Sequence, residues 1–510
     1  MGVVFPSSVD GHPVIVRSRA TCADILGNAI DNRLWGVRSA KRMQKGNQSR
    51  SEVLILFDPV GVWMSLFNGR SLVKSTRVSA LDVFRQELFS SLYNNAIYLM
   101  INSIVTAIFG FVFWNLMARR FAPSTVGLGS AILAASTLIS SFGHLGLGTG
   151  CVLFVPQVGG KARQLVNSAL LVSGVATVLA SVVYLIGVDI WSPALSFVAE
   201  NFFLAAGFVV LTAVMTVANL SDSAFIARKS SKYVLWRNLI ISLTRIPLPL
   251  VVFFGLGGYG IFLGNGLAVT FSLVIVLVVY IPKVYASSSS ERSANLGLVR
   301  QILPFSFGNY LSRVFSGSIG SIFTIMVFDL GGPQYSAYLY MSWMIANLLS
   351  VIPSGLSMSL FAEGSHVRHV STYDVQRALL LSYGLLIPAC VAIYFFGPWI
   401  LRIFGVTYAT NGIPLLRWLV LASFPITINL IYNAVNQVRE KMSIIMVQAL
   451  VTTGLSVGLG YWFLGKMGLM GVGVGYFLGN LVVALVASRL LWKVMREGNR
   501  AVEDMDSAKG

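Results

Sequence analysis

Charged side chains are scarce in this 510-residue sequence, and their scarcity excludes an ordinary soluble domain. Asp, Glu, Lys and Arg make up 11% of the residues, against about 25% in soluble domains. Apolar residues make up 55% of the chain, and the mean hydropathy is +0.76. A helix needs about 20 consecutive apolar residues to cross a bilayer. The composition therefore predicts a helical membrane protein with several spans, since isolated spanning strands would leave backbone groups unpaired in lipid.

Cysteine and histidine are also rare. Among the four histidines, only His366 and His369, together with Glu363, have a spacing that suits a metal ion. These residues fall in a loop that we predict to be exposed to water, so we expect no metal and no cofactor. The cysteines are too far apart in sequence to indicate a disulfide framework or a cysteine metal site; they are Cys22, Cys151 and Cys390.

Catalytic motifs are lacking as well. The stretch "GYWFLGKM", from Gly460 to Met467, resembles a phosphate-binding loop but lacks its final Ser or Thr. The stretch "GHLGLGTG", from Gly143, has the glycines of a dinucleotide-binding loop without the strand that precedes one. We expect His144, within this stretch, to be packed or hydrogen-bonded rather than to relay protons. We therefore predict no catalytic residues and a protein that is not an enzyme.

Long apolar runs are abundant from about residue 95 onwards. They predict an all-α polytopic membrane protein with about twelve transmembrane helices. The predicted spans are 95–118, 125–148, 165–187, 202–226, 238–255, 259–281, 301–328, 337–362, 378–397, 416–435, 444–464 and 469–492.

The formal charge of +18 comes largely from short loops between spans, where membrane topology accounts for it better than a nucleic-acid partner does. With the amino terminus inside, thirteen basic loop residues face inward and five face outward. This asymmetry predicts a multi-pass protein of the cell membrane with both termini in the cytoplasm. The inward residues are Lys161, Arg163, Arg228, Lys229, Lys232, Arg237, Lys283, Arg292, Arg300, Arg368, Arg377, Arg439 and Lys441, and the outward ones are Arg119, Arg120, Arg402, Arg417 and Lys466.

An internal repeat divides the spans into two sets of six. "GIFLGN" at Gly260 in span six recurs as "GYFLGN" at Gly475 in span twelve, 215 residues later (475 − 260). Three other landmarks recur in the same order, 210, 210 and 211 residues apart: Pro123 with Pro333, Tyr184 with Tyr394, and Asp222 with Asn433. The order of the matches predicts two pseudo-symmetric six-helix bundles around a central cavity, related by an axis along the membrane normal.

The repeat also sets the predicted domains. We expect a basic cytoplasmic extension at 1–83 and a six-helix lobe at 84–283. A cytoplasmic linker at 284–300 precedes the second six-helix lobe at 301–493. A cytoplasmic tail at 494–510 completes the chain.

The repeated phrase contains small residues four positions apart, which allow a neighbouring helix to approach closely. We expect Gly260 and Gly264, like Gly475 and Gly479, to serve in helix packing. The asparagine at the end of each phrase is expected to hydrogen-bond across helices, each bond contributing about 0.6 kcal/mol; these residues are Asn265 and Asn480.

Two arginines fall inside predicted spans, where a charge costs about 2.5 to 3.5 kcal/mol. Arg245 lies in span five, where Pro247 and Pro249 remove backbone donors and are expected to break the helix. Arg313 lies about ten residues into span seven, with Asn309 one turn before it. An alternative for each arginine is a structural role, in which it reaches an interface or braces carbonyls. Since the carboxylates fall toward span ends, we expect a cavity that accepts anions, and guanidinium suits diphosphate because it donates two parallel hydrogen bonds.

Three stretches resemble a known family. "LMARRFAPSTVGLGSAIL" follows span one, "KARQLVNSALL" enters span three, and "DSAFIARKSSKYVLWRN" follows span four. With twelve spans in two halves, residues 84–493 resemble the polysaccharide and O-antigen flippase family of the multidrug/oligosaccharidyl-lipid/polysaccharide exporter superfamily.

The resemblance implies a V-shaped molecule whose halves rock between inward and outward openings. It implies transport of a polyprenyl-diphosphate-linked oligosaccharide to the outer leaflet for surface polysaccharide, such as lipopolysaccharide O-antigen. Membrane lipids and glycan-assembly proteins would be partners. Because Arg245 and Arg313 are charges inside predicted spans, we expect them, together with Asn309, to bind the diphosphate of such a substrate. The alternatives are a multidrug or organic-cation exporter of the same superfamily, a membrane glycan ligase or polymerase, and a scaffold for glycan synthesis.

Overall fold

The computed structural model describes residues 91–286, 294–367 and 370–507, and within them it contains helices and no strand. The predicted extension at 1–83 and the middle of the predicted linker lie outside the described residues. Among the described residues, twelve helices are long and apolar enough to cross a membrane, so the predicted helical fold with twelve spans is confirmed.

Six long helices form the first half. Two of them are continued by irregular turns: α5 by a π-helical segment, Leu248–Val252, and α6 by another, Val276–Tyr280. With its continuation, α5 is long enough to cross the bilayer. The six helices are α1 (Ser91–Arg120), α2 (Pro123–Gly143), α3 (Ala162–Ile186), α4 (Phe202–Ala227), α5 (Lys232–Thr244) and α6 (Gly257–Ile275).

Six further long helices form the second half, and several extend beyond their predicted apolar spans. A capping box between Ser371 and Asp374 fixes the start of α9, because each residue satisfies a free backbone donor at the helix end. The six helices are α7 (Leu296–Gly331), α8 (Pro333–Val367), α9 (Thr372–Phe404), α10 (Val406–Val438), α11 (Met442–Met467) and α12 (Leu469–Ser507).

The two halves repeat the same packing. In the first half α1 packs on α5, α2 on α4, α3 on α4, and both α4 and α5 on α6. The corresponding pairs, six helices later, pack in the second half. This recurrence is what the internal repeat predicts, since two copies of one folding unit bury the same faces. The exact domain boundaries stay a prediction.

The predicted end of the second span is wrong by several residues. Helix α2 ends at Gly143, and a short helix, Leu147–Phe154, follows it. Leu145 and Gly146 both have positive φ values, 48° and 71°. Two successive residues in the left-handed region cannot continue a right-handed helix, so the chain turns here and His144 lies in the turn.

The glycines of the repeated phrase lie where neighbouring backbone is very close. A Cβ on Gly260 would lie 2.3 Å from the carbonyl oxygen of Phe253, and one on Gly264 would lie 2.6 Å from Cδ of Pro249. Both glycines of α6 therefore pack on the irregular segment after α5. In α12, a Cβ on Gly475 would lie 2.3 Å from the backbone nitrogen of Gly460 in α11.

The asparagines of the repeated phrase differ in their surroundings. Asn480 is buried, and its side chain donates to the carbonyl of Tyr476. The amide of Asn429, in α10, donates to the backbone and side-chain oxygens of Asn480, at 3.2 and 3.4 Å. Asn480 thus accepts hydrogen bonds from a neighbouring helix. Asn265 is half-buried in α6.

Substitution of Gly479 by valine is expected to lower the free energy of unfolding by about 1–3 kcal/mol, the usual cost of overpacking. A Cβ at this position would lie 2.6 Å from the backbone nitrogen of Ser456, so α11 and α12 would have to separate. The control is Gly458→Val in α11, where a Cβ would have no heavy atom within 4 Å. Thermal unfolding in detergent measures the difference, and equal melting temperatures for the two variants would contradict this packing.

The outer ends of the two halves are in contact. The outer and cytoplasmic sides are named here according to the predicted orientation. A Cβ on Gly127, in the first turns of α2, would lie 1.6 Å from the carbonyl oxygen of Pro333, which begins α8. Near the end of α1, Asn115 and Arg119 each donate to the carbonyl of Ile403 in α9, both at 2.9 Å. The molecule is therefore closed on its outer side.

On the cytoplasmic side, the described residues form hydrogen bonds between the two halves. These bonds involve α7 and Asn295, the residue just before it. The hydroxyl of Tyr310 donates to the carbonyl of Phe142 at 2.5 Å, and the backbone nitrogen of Asn295 donates to the hydroxyl of Ser168 at 2.6 Å. The first part of α7 thus lies against the first half of the molecule.

Candidate functional site

A polar cavity of about 540 Å³ lies between the first half of the molecule and α7. Its walls come from the end of α2, the turn and short helix after it, the end of α4, and α7. Most of its side chains carry hydroxyl, amide or cationic groups, and none of the residues that form its described walls is acidic. It is lined by Thr137, Ser140, Ser141, His144, Gly146, Gly148, Thr149, Val152, Asn219, Ser223, Ile226, Tyr310, Arg313 and Val314.

Arg313 supplies the guanidinium group of the polar cavity. Its side chain is exposed to the open space, and no group in the described part of the chain is seen to accept a hydrogen bond from it. An arginine keeps its charge under all ordinary conditions and offers five donors in a planar fork. Arg313 is therefore free to bind an anionic group with two parallel hydrogen bonds.

Hydroxyl groups form a ladder along the contact between α2 and α4. Thr212 donates to the hydroxyl of Ser136 at 3.0 Å, and Thr216 donates to the hydroxyl of Ser140 at 2.9 Å. On the cavity side, Ser141 donates back to the carbonyl of Thr137 at 2.9 Å. A hydroxyl that donates in this way keeps its acceptor lone pairs, so this wall can accept hydrogen bonds from a polar ligand.

His144 faces the polar cavity from the turn after α2. A Cβ on Gly148 would lie 2.5 Å from Cε1 of the His144 ring and 2.8 Å from the hydroxyl of Ser223, so only glycine allows the ring to pack here. Burial, followed by the positive charge of Arg313, lowers the pKa of His144 from its usual value of 6.5. Near neutral pH the imidazole is therefore uncharged while the cavity is empty.

Arg245 lies in different surroundings, between α1, α5 and α8. Its guanidinium carbon is 4.8 Å from the centre of the Phe113 ring, a cation–π contact. Tyr340 of α8 also lies near this guanidinium. The Nε and Nη2 atoms of Arg245 are buried without a hydrogen-bond partner among the described residues. The helix ends at Thr244, just before Arg245, where the prolines of this segment were expected to break it.

The two arginines occupy different sites. Arg313 lines the polar cavity, and Arg245 is not among the residues of that cavity.

Asn309 lies one turn before Arg313 in α7, and its side chain is outside the described residues. Glu363 is exposed at the end of α8, and the side chains of His366 and His369 are also outside the described residues. No group of ligands suited to a metal ion occurs among the described residues.

A buried ion pair near the cytoplasmic ends of α4 and α5 was not foreseen from the sequence. The guanidinium of Arg237 lies 2.8 Å from the carboxylate of Asp222, and the side chain of Arg237 is 4% exposed. Arg237 also donates to the carbonyl of Ala218 and to the side chain of Asn238, which donates in turn to Asn102 of α1. Because both charges are neutralised here, this pair serves the packing of α1, α4 and α5. In the sequence, the spacing of Asp222 and Arg237, on two consecutive helices, did not indicate an ion pair.

A second cavity, of about 560 Å³, lies on the outer side between α2, α3, α7 and α11. We call it the aromatic cavity, because Tyr184, Trp191 and Tyr461 line it together with Asp329 and apolar residues. The carboxylate of Asp329 accepts hydrogen bonds from the backbone nitrogen of Ala194 at 3.0 Å and from Ser192 at 3.4 Å. Aromatic rings beside a carboxylate can bind an organic cation, although this carboxylate already fixes the loop before α4.

No protein-family model matches this sequence, and no curated protein matches it. Solved structures do match its fold. An inward-facing multidrug resistance MATE family transporter of the MOP superfamily aligns with a TM-score of 0.60 and 16% identity, over 79% of this chain and 99% of that one. An outward-facing transporter of the same description aligns with a TM-score of 0.54 and 17% identity, over 80% and 96% of the two chains.

A further match is a MOP superfamily transporter from Pyrococcus furiosus Vc1, whose binding pocket is described as having reversed polarity that suggests a different function. It aligns with a TM-score of 0.55 and 18% identity, over 80% of this chain and 95% of that one. The chain therefore has the fold of these transporters, whose superfamily is the one that the sequence motifs resemble.

Proposed function

We propose that this protein is a membrane transporter that works by alternating access. The proposal is supported by its fold and by the arrangement of the two halves, which meet at their outer ends while the polar cavity lies in the cytoplasmic part. In the opposite state the contacts of Gly127 with Pro333 and of Arg119 with Ile403 would open. The two halves would then rock as units, because the same helix pairs hold each half together.

The substrate that the polar cavity suits best is an amphiphile with an anionic, hydroxyl-rich head group. The observation that carries this proposal is the charge of the cavity, where Arg313 has no acidic partner among the described lining residues. A guanidinium without a carboxylate attracts anions and repels organic cations. The unpartnered nitrogens of Arg245 provide a second cationic position outside the polar cavity.

The neutral walls of the cavity favour a glycan next to the anion. Hydroxyl and amide side chains from α2, α4 and α7 surround Arg313, and several of these hydroxyls retain free acceptor positions. A sugar offers many donors that such walls can bind, whereas a flat apolar drug does not. Within this class we propose a polyprenyl-diphosphate-linked oligosaccharide, whose lipid chain would remain in the bilayer, as the cargo of a flippase of the cell membrane.

A multidrug exporter is the second candidate, and two observations favour it. Two of the solved structures with this fold are described as multidrug resistance transporters, so the comparisons support the exporter better than the flippase. The aromatic cavity combines Asp329 with three aromatic rings, which is the chemistry that binds organic cations. The charge of the polar cavity is the reason to rank the anionic substrate first.

Binding of two matched amphiphiles separates these candidates. A ligand that binds the folded state raises its thermal stability, so purified protein is heated with farnesyl-diphospho-N-acetylglucosamine or with tetraphenylphosphonium. We expect the anionic probe to stabilise the native protein and Arg313→Gln to lose this response, while Asp329→Asn keeps it. If the cation alone stabilises the protein, and Asp329→Asn removes that effect, the exporter is the correct function.

A further inference from the structure

We infer that His144 is a protonation site linked to substrate binding in the polar cavity, so that the anionic head group binds together with a proton on the imidazole. The inference rests on the proposed function, because it requires an anion beside Arg313. His144 and Arg313 line the same cavity from opposite halves of the molecule. They lie close enough for their charges to interact.

Near neutral pH and with the cavity empty, the imidazole of His144 is uncharged. Burial removes water from the imidazole, and the guanidinium of Arg313 adds a like charge, so both effects lower the pKa of His144 below 6.5. An anion placed between the two side chains reverses the second effect. It neutralises the charge of Arg313 and offers the imidazolium a hydrogen-bond acceptor, and it therefore raises the pKa of His144.

The sign of the pH dependence follows from this linkage. Between the pKa of the empty cavity and the higher pKa of the occupied cavity, binding takes up a proton. The affinity for the anion therefore increases as the pH falls through the occupied-state pKa. It becomes constant below the empty-state pKa, where His144 already carries its proton. For one proton, the dissociation constant changes by at most tenfold per pH unit.

The other titratable groups around the cavity do not account for such an effect. Helix α2 has none, and burial raises the pKa of the Cys151 thiol, on the short helix after it, to about 12. Asp222, next to Ser223 of α4, is paired with Arg237. The remaining groups on α7 are Arg300 near its start, the hydroxyl of Tyr310, Arg313, and Asp329 near its outer end, and neither Arg300 nor Asp329 lines the polar cavity. Helix α3 has Arg163 and Tyr184 near its ends.

Gly148 and the turn after α2 explain why the histidine can take this place. The positive φ values of Leu145 and Gly146 end α2 at the level of the cavity, which sets the imidazole at the inner wall rather than on a helix face. Gly148 leaves room for the ring, whose Cε1 lies 2.5 Å from the position of a Cβ there. The site is thus built by the local backbone.

The test measures binding of farnesyl-diphospho-N-acetylglucosamine from about pH 5 to about pH 8 by titration calorimetry in buffers of different ionisation enthalpy. Each phosphate of this probe has one ester link and one anhydride link and keeps only a strongly acidic hydroxyl, so the probe itself takes up no proton in this range. For the native protein we expect the dissociation constant to rise with pH by up to tenfold per unit, with uptake of up to one proton. His144→Gln should bind without pH dependence or proton uptake. His144→Lys, which holds its charge throughout, should bind tightly at every pH.

Each other outcome is decisive. If His144→Gln keeps the pH dependence and proton uptake of the native protein, another group is responsible and the inference is wrong. If the native protein binds the probe equally at every pH, the inference fails while the anionic substrate stands. If the native protein does not bind the probe at any pH, the proposed function fails and the inference fails with it.

Discussion

Gly127→Leu is expected to abolish transport while the protein still folds. A Cβ at this position would lie 1.6 Å from the carbonyl oxygen of Pro333 and 2.6 Å from its carbonyl carbon. Real Cβ atoms never approach backbone so closely, so a leucine would hold the outer ends of α2 and α8 apart. The closed outer side could not form, and a transporter that cannot close one side cannot complete its cycle.

The control for this variant is Gly384→Leu in α9. Gly384 is exposed, and a Cβ there has no heavy atom within 4 Å. Spin labels on cysteines introduced at Arg120 and Gln334, which are both exposed at the outer ends of the two halves, report the opening directly. We expect a longer distance for Gly127→Leu and an unchanged one for Gly384→Leu. Normal transport with the short distance retained would rule out this contact as the outer gate.

Arg313→Ala is expected to weaken binding of the anionic probe by about 10- to 150-fold. This range corresponds to about 1.5–3 kcal/mol, the contribution of hydrogen bonds to a charged group. The loss should be mainly in affinity, since Arg313 contributes no hydrogen bond to another part of the described chain whose removal would unfold the protein. Titration calorimetry with farnesyl-diphospho-N-acetylglucosamine measures it.

The matched control is Arg300→Ala, which removes an exposed arginine from the same helix outside the polar cavity. It changes the net charge equally and should leave binding unchanged. Arg313→Lys keeps the charge but loses the planar fork, and we expect it to recover only part of the affinity. An Arg313→Ala protein that binds the probe as tightly as the native protein would give this arginine a structural role.

The fold was largely predictable because lipid imposes a direct rule on sequence. Each spanning helix needs an apolar run of sufficient length, and all twelve runs became helices. The repeated "GIFLGN" and "GYFLGN" identified the two halves, since duplicated units conserve their packing glycines. The end of α2 was not predicted correctly because Leu145 has a left-handed φ, which is unusual for a leucine. The sequence does not indicate this conformation.

The site was less predictable than the fold. Arg245 and Arg313 stood out because charge is rare in apolar spans, but the sequence did not indicate that they lie in different surroundings. The serines and threonines of the cavity wall carry no signal of their own, since such residues are common in membrane helices. Their role emerges only when α2, α4 and α7 meet.

His144 illustrates the same limit. Its sequence neighbourhood, "GHLGLGTG", suggested helix packing, and no charged residue lies near it along the chain. Arg313 is 169 residues away (313 − 144), on the other half of the molecule, and only the folded structure brings the two to one cavity.

The most direct test of the whole account is transbilayer movement of a polyprenyl-diphosphate oligosaccharide in proteoliposomes that contain the native protein, Arg313→Ala, Arg245→Ala or the control Arg300→Ala. We predict movement with the native protein and the control, and strongly reduced movement with Arg313→Ala. Failure of the native protein to move any lipid-linked glycan, while it transports an organic cation, would contradict the anionic substrate and identify an exporter.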